Sequence, residues 1–526
     1  MKLYHKLIAF AALALTSACT DLDLPVENEL TPDNFPKTEE QLVLATGSAY
    51  SKLRPSYCVH WWYLQTLVTD EAILPARAGN WYDGARFQQE HLHTWNQTHS
   101  HIGSAWRWGF GIISNCNQLL SLFQQAPESP SKEKIAAEVR ALRALSFFHM
   151  MDLFGDIPVN TSFGDTALPT QRPRKEVFAF IEQELKAVMP LLSADVNTDT
   201  YGRMTKFGAA AILAKMYLNA QVYAGENRYD DAVAMCDTII ASGKFALTED
   251  FKSIFAANNG PHIKEIIFAI PFDWSQGKGQ QYTWFGLHYA LQKKYGLAYL
   301  IDGPVSTLPE YYENFNEPND VRTQAWLTGK QYDNDGQPIL IKTTKRGMDA
   351  SYTGADGTTP IDYHLEFTPN VTLTNPNLFE VGGDELGKAK GYRSIKYSPD
   401  VSAVTRDASN DVPVFRYADI LLMKAEAILR GAAATRGESA LGLVNQLRTI
   451  RKATPFNSIT LEELLPERAR ELSWEAWRRN DLIRFGKYED SWGYKTNKDE
   501  YRRVYPIPAS EIILNPKLNQ HLGYRQ

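Results

Sequence analysis

The sequence predicts a mostly α-helical chain: stacked helix pairs carrying a loop-rich insertion with short strands. Three observations predict this. Long stretches repeat their apolar residues at helical spacing. In two places one such stretch follows another across a short Gly-containing break, and each pair leaves an apolar face that only a neighbour can cover. Between those places, from 258 to 414, short β-like runs alternate with Gly, Asn, Asp and Pro clusters.

The helices can be taken in order. TEEQLVLATGSAYSKL opens on Thr38, an N-cap, with acids in its first turn. SAWRWGFGIISNCNQLLSLF keeps helical spacing despite its glycines. SKEKIAAEVRALRALSFFHMMDLF, capped at Ser131, places Ile135, Val139, Leu142, Leu145 and Phe148 on one face, and stops at Gly155 with Pro158 beyond. KEVFAFIEQELKAVMPLL is amphipathic. TKFGAAAILAKMYLNAQVYAG has small residues, Ala210, Ala211 and Ala214, that let its partner RYDDAVAMCDTIIASGKFAL approach closely. Tyr217, and Tyr229 three residues before Ala232, give the large–small interlock of a tetratricopeptide-like helix pair. The arrangement recurs in RYADILLMKAEAILRG, SALGLVNQLRTIRKA and LEELLPERARELSWEAWRRNDLIRFG. In the insertion, EIIFAIPF and ILIKTT read as strands.

The N-terminus predicts export. Lys2 and Lys6 precede the apolar run Leu7 to Leu15, which is too short for a bilayer that needs ~20 apolar residues. Thr16, Ser17 and Ala18 then lead to Cys19. The run resembles a bacterial lipobox, with Thr16 where that pattern favours Leu, so residues 1–18 are expected to be a signal peptide and Cys19 the lipidated residue. TDLDLPVENELTPDNF after it reads as an extended tether. The net charge is −6, and removal of Lys2 and Lys6 makes it −8. No basic face for nucleic acid follows from that balance. Cys58, Cys116 and Cys236 remain; three distant thiols make no disulfide framework.

Six blocks, in one order, resemble the SusD/RagB family of outer-membrane lipoproteins. They are the cysteine followed by DLDLP; AEVRALRALSFFHMMDLFGDIPV; RMTKFGAAAILAKMYLNA with RYDDAVAMCDTII; VFRYADILLMKAEAILRG; ELLPERARELSWEAWRRNDLIRFG; and VYPIPASEIILNP. The resemblance covers nearly the whole chain and divides it into 19–257 and 258–526 within one compact body. It implies a SusD-like fold with four tetratricopeptide-like pairs, tethered at the exterior face of the outer membrane. It also implies binding of oligosaccharide or polysaccharide for a SusC-like TonB-dependent transporter.

Sugars offer apolar C–H faces to flat aromatic rings and hydroxyls to amides, carboxylates and guanidinium groups. TDEAILPARAGNWYDGAR fits that chemistry through Asp70, Arg77, Asn80, Trp81 and Tyr82. A second cluster, Trp274, Tyr282, Trp284 and Tyr289, lies in the insertion; of these Trp274, Trp284 and Tyr289 are the candidate contacts. Trp61 and Trp62 read as core. HLHTWNQTHSH holds His91, His93, His99 and His101 and reads as a solvated polar loop. DNDG at Asp333 to Gly336 lacks the later glutamate of a calcium loop, so no metal or cofactor is expected. Glu467, Glu471 and Glu475 recur every fourth residue beside arginines, which reads as ion pairing on a helix rather than a glycosidase pair. No nucleophile elbow or phosphate loop appears, so no enzyme is expected. The alternatives are a lid or scaffold for a protein or peptide in the same groove, and a polysaccharide-cleaving enzyme.

Overall fold

The computed structural model describes residues 38–77, 79–277, 279–343, 361–382 and 385–525. Cys19 and the tether lie outside the described residues. Helix α1 (Glu39–Ser51) starts on Thr38, whose side chain accepts from Gln41 N–H while the Gln41 side chain returns to the Thr38 N–H. After Pro55 the chain continues through two wide turns, Tyr57–Trp61 and Tyr63–Leu67. These carry Trp61 and Trp62 into the core, as their apolar surroundings predict.

A short helix α2 (Arg86–Leu92) precedes two long antiparallel-type partners, α3 (Ser100–Gln124) and α4 (Pro130–Phe154). One glycine of α3 has a packing cause: a Cβ at Gly109 would lie 2.3 Å from Met150 Cε on α4. The cap of α4 is Ser129, not Ser131, because Pro130 takes the first helical position, where its missing N–H costs nothing. Gly155, at φ 70°, ends α4 as expected.

Helix α5 (Arg174–Val188) lies on α4. Helices α6 (Lys206–Leu218) and α7 (Tyr229–Ile240) form the predicted pair, with Ala210, Ala211, Ala214 and Ala232 fully buried. Helix α8 (Tyr417–Leu429) packs on α7, and α9 (Ala440–Ile450) and α10 (Leu461–Leu472) pack on α8. The pairs therefore continue one another although residues 241–416 separate α7 from α8 in the chain; the sheet β1 (Ile266–Ile270) with β4 (Val412–Arg416) bridges the gap, antiparallel and buried. Between them β2 (Leu340–Thr343) pairs with β3 (Ile361–His364). The insertion has its own small core around Leu287, Leu291, Ile301, Leu365 and Phe367. No described helix is long and apolar enough to cross a membrane. Cys58, Cys116 and Cys236 are buried free thiols, and burial pushes Cys58 and Cys116 up to about 12.

The last predicted helix is in fact two. α10 ends at Leu472, α11 (Arg478–Arg484) follows, and Trp474 and Ala476 between them are left-handed at φ 62°. Glu475 thus leaves the helix. The acids are ion-paired, as expected: Glu467 pairs with Arg470 on its own helix, and Glu467 and Glu471 also pair with arginines from elsewhere in the chain. Glu471 accepts from Arg322, Arg416 and Arg451, and Glu467 from Arg322, Arg448 and Arg470. All of this lies under the surface, with Arg322, Arg416, Arg448 and Arg451 at 1 % exposure or less.

Candidate functional site

The segment that follows the wide turns is fastened to the insertion by its backbone. Ile73 exchanges hydrogen bonds with Ser306, and Ala76 pairs with the 379–381 strand-like run. Arg77 and Asn80 then close a tight turn at 2.9 and 3.0 Å. The Arg77 side chain is buried and points inward. Its guanidinium donates to the carbonyls of Pro304, Gly387 and Lys390 and to Ser306 Oγ, at 2.7–2.9 Å. It therefore holds the loop from beneath instead of projecting from it. Asp70 likewise faces Arg478, accepting at 2.7 and 2.5 Å.

Beyond the turn the backbone becomes strained. Trp81 (φ 71°), Asp83 (φ 47°), Gly84 (φ 68°) and Ala85 (φ 66°) all adopt left-handed conformations. Each non-Gly residue there costs roughly 1–2 kcal/mol, so surrounding contacts must hold it. For Trp81 they are visible. Its indole Nε1–H donates to Asp302 Oδ2 at 2.6 Å, and its ring meets Trp284 at 5.3 Å with a 58° tilt. Phe87 and Phe285, both buried, support it at 6.1 and 5.9 Å. Trp284 sits on the short helix Tyr282–Gly286, whose carbonyl at Trp284 accepts from Gly303 N–H at 3.0 Å and so ties it to the Asp302 turn.

Two half-buried indoles thus stand side by side on a buried aromatic floor. Asn80 and Tyr82 are exposed next to them in the chain, and the exposed Arg406 lays its guanidinium 4.8 Å from the Trp284 ring centre. Asp302 and Arg406 were not legible as site residues in sequence. Asp302 stands in an Asp-Gly-Pro turn and Arg406 in a polar loop, and nothing local marks either. Trp274 is held by its own partners, its indole donating to Ser402 Oγ at 3.3 Å on the loop that also carries Arg406. Tyr289 packs on His288 at 4.5 Å with Lys388 Nζ 5.3 Å from its ring. Tyr282 is buried against Trp62 and Tyr397. Two surface cavities lie elsewhere: ≈ 440 Å³ beside Phe154, Tyr505 and His521, and ≈ 580 Å³ beside Leu44, Leu122 and Phe163. A stacked sugar ring needs a shelf rather than a cavity.

The histidine-rich stretch is not a solvated loop. His91 is in the last turn of α2 and His93 is its left-handed cap. His99 precedes α3, and His101 lies in it; all four are buried. The polar sequence misleads because the fold packs His99 against His101, His91 against Phe379, and His93 onto Trp95, Tyr488 and Trp492. The DNDG run is a turn in which Asp333 accepts from Asp335 and Gln337 N–H. The glutamates of α10 are saturated by arginines, and that environment brings Glu467 down to about 2.

The comparisons with known proteins agree with this fold. The model of the "SusD family" matches residues 264–524, and "Starch-binding associating with outer membrane" matches 31–218. The starch-binding protein SusD of Bacteroides thetaiotaomicron is 28% identical over 426 residues, 74% of this chain and 72% of that protein. The SusD-like protein P38 of Formosa agariphila is 24% identical over 98% of both chains. Among solved structures, a SusD superfamily protein of Parabacteroides distasonis superposes with TM-score 0.70 at 23% identity, covering 94% of this chain and all of that one. Surface glycan-binding protein A of Bacteroides thetaiotaomicron, solved in complex with laminarihexaose, superposes with TM-score 0.67 at 21% identity, over 91% and 99%. With two family models matching along its length, this chain belongs to the SusD/RagB family.

Proposed function

We propose that this protein binds an oligosaccharide or polysaccharide at the cell surface, held to the outer membrane by lipid on Cys19. It presents that glycan to a SusC-like TonB-dependent transporter and catalyses nothing itself. The observation that carries the reading is the Trp81–Trp284 pair. Its rings offer apolar faces to pyranose C–H groups, and fixing two indoles in advance removes most of the ordering cost of binding. Asp302, Arg406, Asn80 and Tyr82 supply hydroxyl partners at the rim. A starch-binding relative and a neighbour solved with laminarihexaose support a glucan as the first ligand to try. Carboxylates suited to glycoside cleavage would need substrate access, whereas Glu467 and Glu471 are sealed among guanidinium groups. Calorimetry of the purified chain against soluble starch, laminarin and other polysaccharides tests the proposal. Saturable binding of one class is expected, and failure to bind any of a broad panel would contradict it.

A further inference from the structure

We propose that Glu90, His99 and His101 form a binding site for a divalent transition metal, zinc by its chemistry, that pins the end of α2 to the start of α3. One donor atom from each residue lies within 4.8 Å of the other two, and all three side chains are buried. Two imidazoles and a carboxylate are a set that zinc accepts, leaving a fourth position for water. Calcium and magnesium require more oxygen ligands than this site holds.

The local hydrogen bonds prepare the site. His99 Nε2–H donates to the Arg86 carbonyl at 3.0 Å, which fixes the tautomer and leaves the buried Nδ1 lone pair without a partner. A metal-bound histidine anchors its other nitrogen in this way. Glu90 Oε1 accepts from His101 Nδ1–H at 2.6 Å, while Glu90 Oε2 is buried and unpartnered. A buried carboxylate oxygen without a donor is costly, and a cation removes that cost. Zinc bonds of about 2.0–2.1 Å place donor atoms roughly 3.3 Å apart, so side-chain rotation needs to close no more than about 1.5 Å. Arg86 is the nearby opposing charge, and its guanidinium is turned to Asp83 at 2.9 Å. The site also borders the indole floor, since Phe87 lies 5.2 Å from His101 and 6.1 Å from Trp81.

The test uses the whole chain after chelation and gel filtration, with zinc chloride alone and no sugar present, so it is independent of the glycan reading. The wild type is expected to retain one zinc per chain and to melt at a higher temperature with zinc but not with magnesium. Glu90→Gln and His99→Gln should each weaken zinc binding by about 100-fold or more. Cobalt titration of the wild type needs no variant: strong visible bands of four-coordinate cobalt are expected. A wild type that retains no zinc, equal retention in both variants, or only the weak spectrum of hydrated cobalt would overturn the proposal.

Discussion

Replacing Glu471 by Gln tests what holds the C-terminal half of the scaffold together. The carboxylate is fully buried. Oε1 accepts from Arg416 at 3.0 Å and Arg451 at 2.9 Å, and Oε2 from Arg451 at 3.2 Å and Arg322 at 3.3 Å. Those arginines come from β4, from the end of α9 and from the insertion, so one side chain joins three distant segments. Glutamine keeps the shape but removes the charge and turns an NH₂ group toward guanidinium donors. Breaking a buried pair in this way costs roughly 3–5 kcal/mol, because the remaining charges stay desolvated. With a urea dependence at or above about 3 kcal/mol per molar for a chain this long, the unfolding midpoint should fall by about 1 M. Tryptophan fluorescence and far-ultraviolet circular dichroism read the transition, and Lys342→Ala is the control. Lys342 pairs with Asp362 at 3.3 Å on the surface of the β2–β3 pair, where its loss should leave the midpoint unchanged. A shift for Glu471→Gln below about 0.2 M would refute the reasoning, since so small a change is within the range of surface substitutions.

Three further outcomes follow. Burial pushes Glu71 up to about 7, so its protonated form is favoured in the fold. A raised carboxyl contributes its stability at low pH and loses it as pH climbs from its ordinary value near 4.5 to about 7, a change of roughly 3 kcal/mol at most by linkage. Denaturant titration across that window should show a decline that Glu71→Gln flattens; an identical profile in the variant would remove Glu71 as its source. Asp302→Ala frees the Trp81 indole N–H, and a lost charged hydrogen bond of roughly 1.5 kcal/mol predicts about tenfold weaker glycan binding by calorimetry. Unchanged affinity would mean the indole is placed by its ring contacts alone. Cys19→Ser should move the protein from the membrane to the soluble fraction on cell fractionation, and continued membrane association would contradict the lipid anchor.

Most helices were legible because their ends carry local signals. Thr38, Thr205, Ser439 and Thr460 each accept from a backbone N–H two or three residues into the helix they precede. The break after α10 was not legible, since nothing in SWEAW forbids a helix. It is imposed from outside: Glu71 accepts the Trp474 N–H at 2.5 Å, and the Trp62 indole donates to the Trp474 carbonyl at 3.3 Å. The same holds for the candidate site. Aromatic loops marked Trp81 and Trp284, but their contact across 203 positions is tertiary, as are the supports from Asp302 and Arg406. Arg77 shows the opposite error. A charged residue in a glycine-containing loop reads as exposed, yet five acceptors from two segments converge on it. Polarity in sequence does not distinguish a surface group from one whose partners are folded around it.

The central claim is that the Trp81–Trp284 shelf binds glycan, and one titration tests it most directly. Wild type, Trp81→Ala and Trp284→Ala are each titrated with the polysaccharide that the panel selects, after circular dichroism shows all three folded. Removing a central aromatic contact is worth about 2 kcal/mol or more, which predicts at least about 30-fold weaker binding in each variant. Wild-type affinity in both variants would place the glycan elsewhere on the molecule and contradict the account.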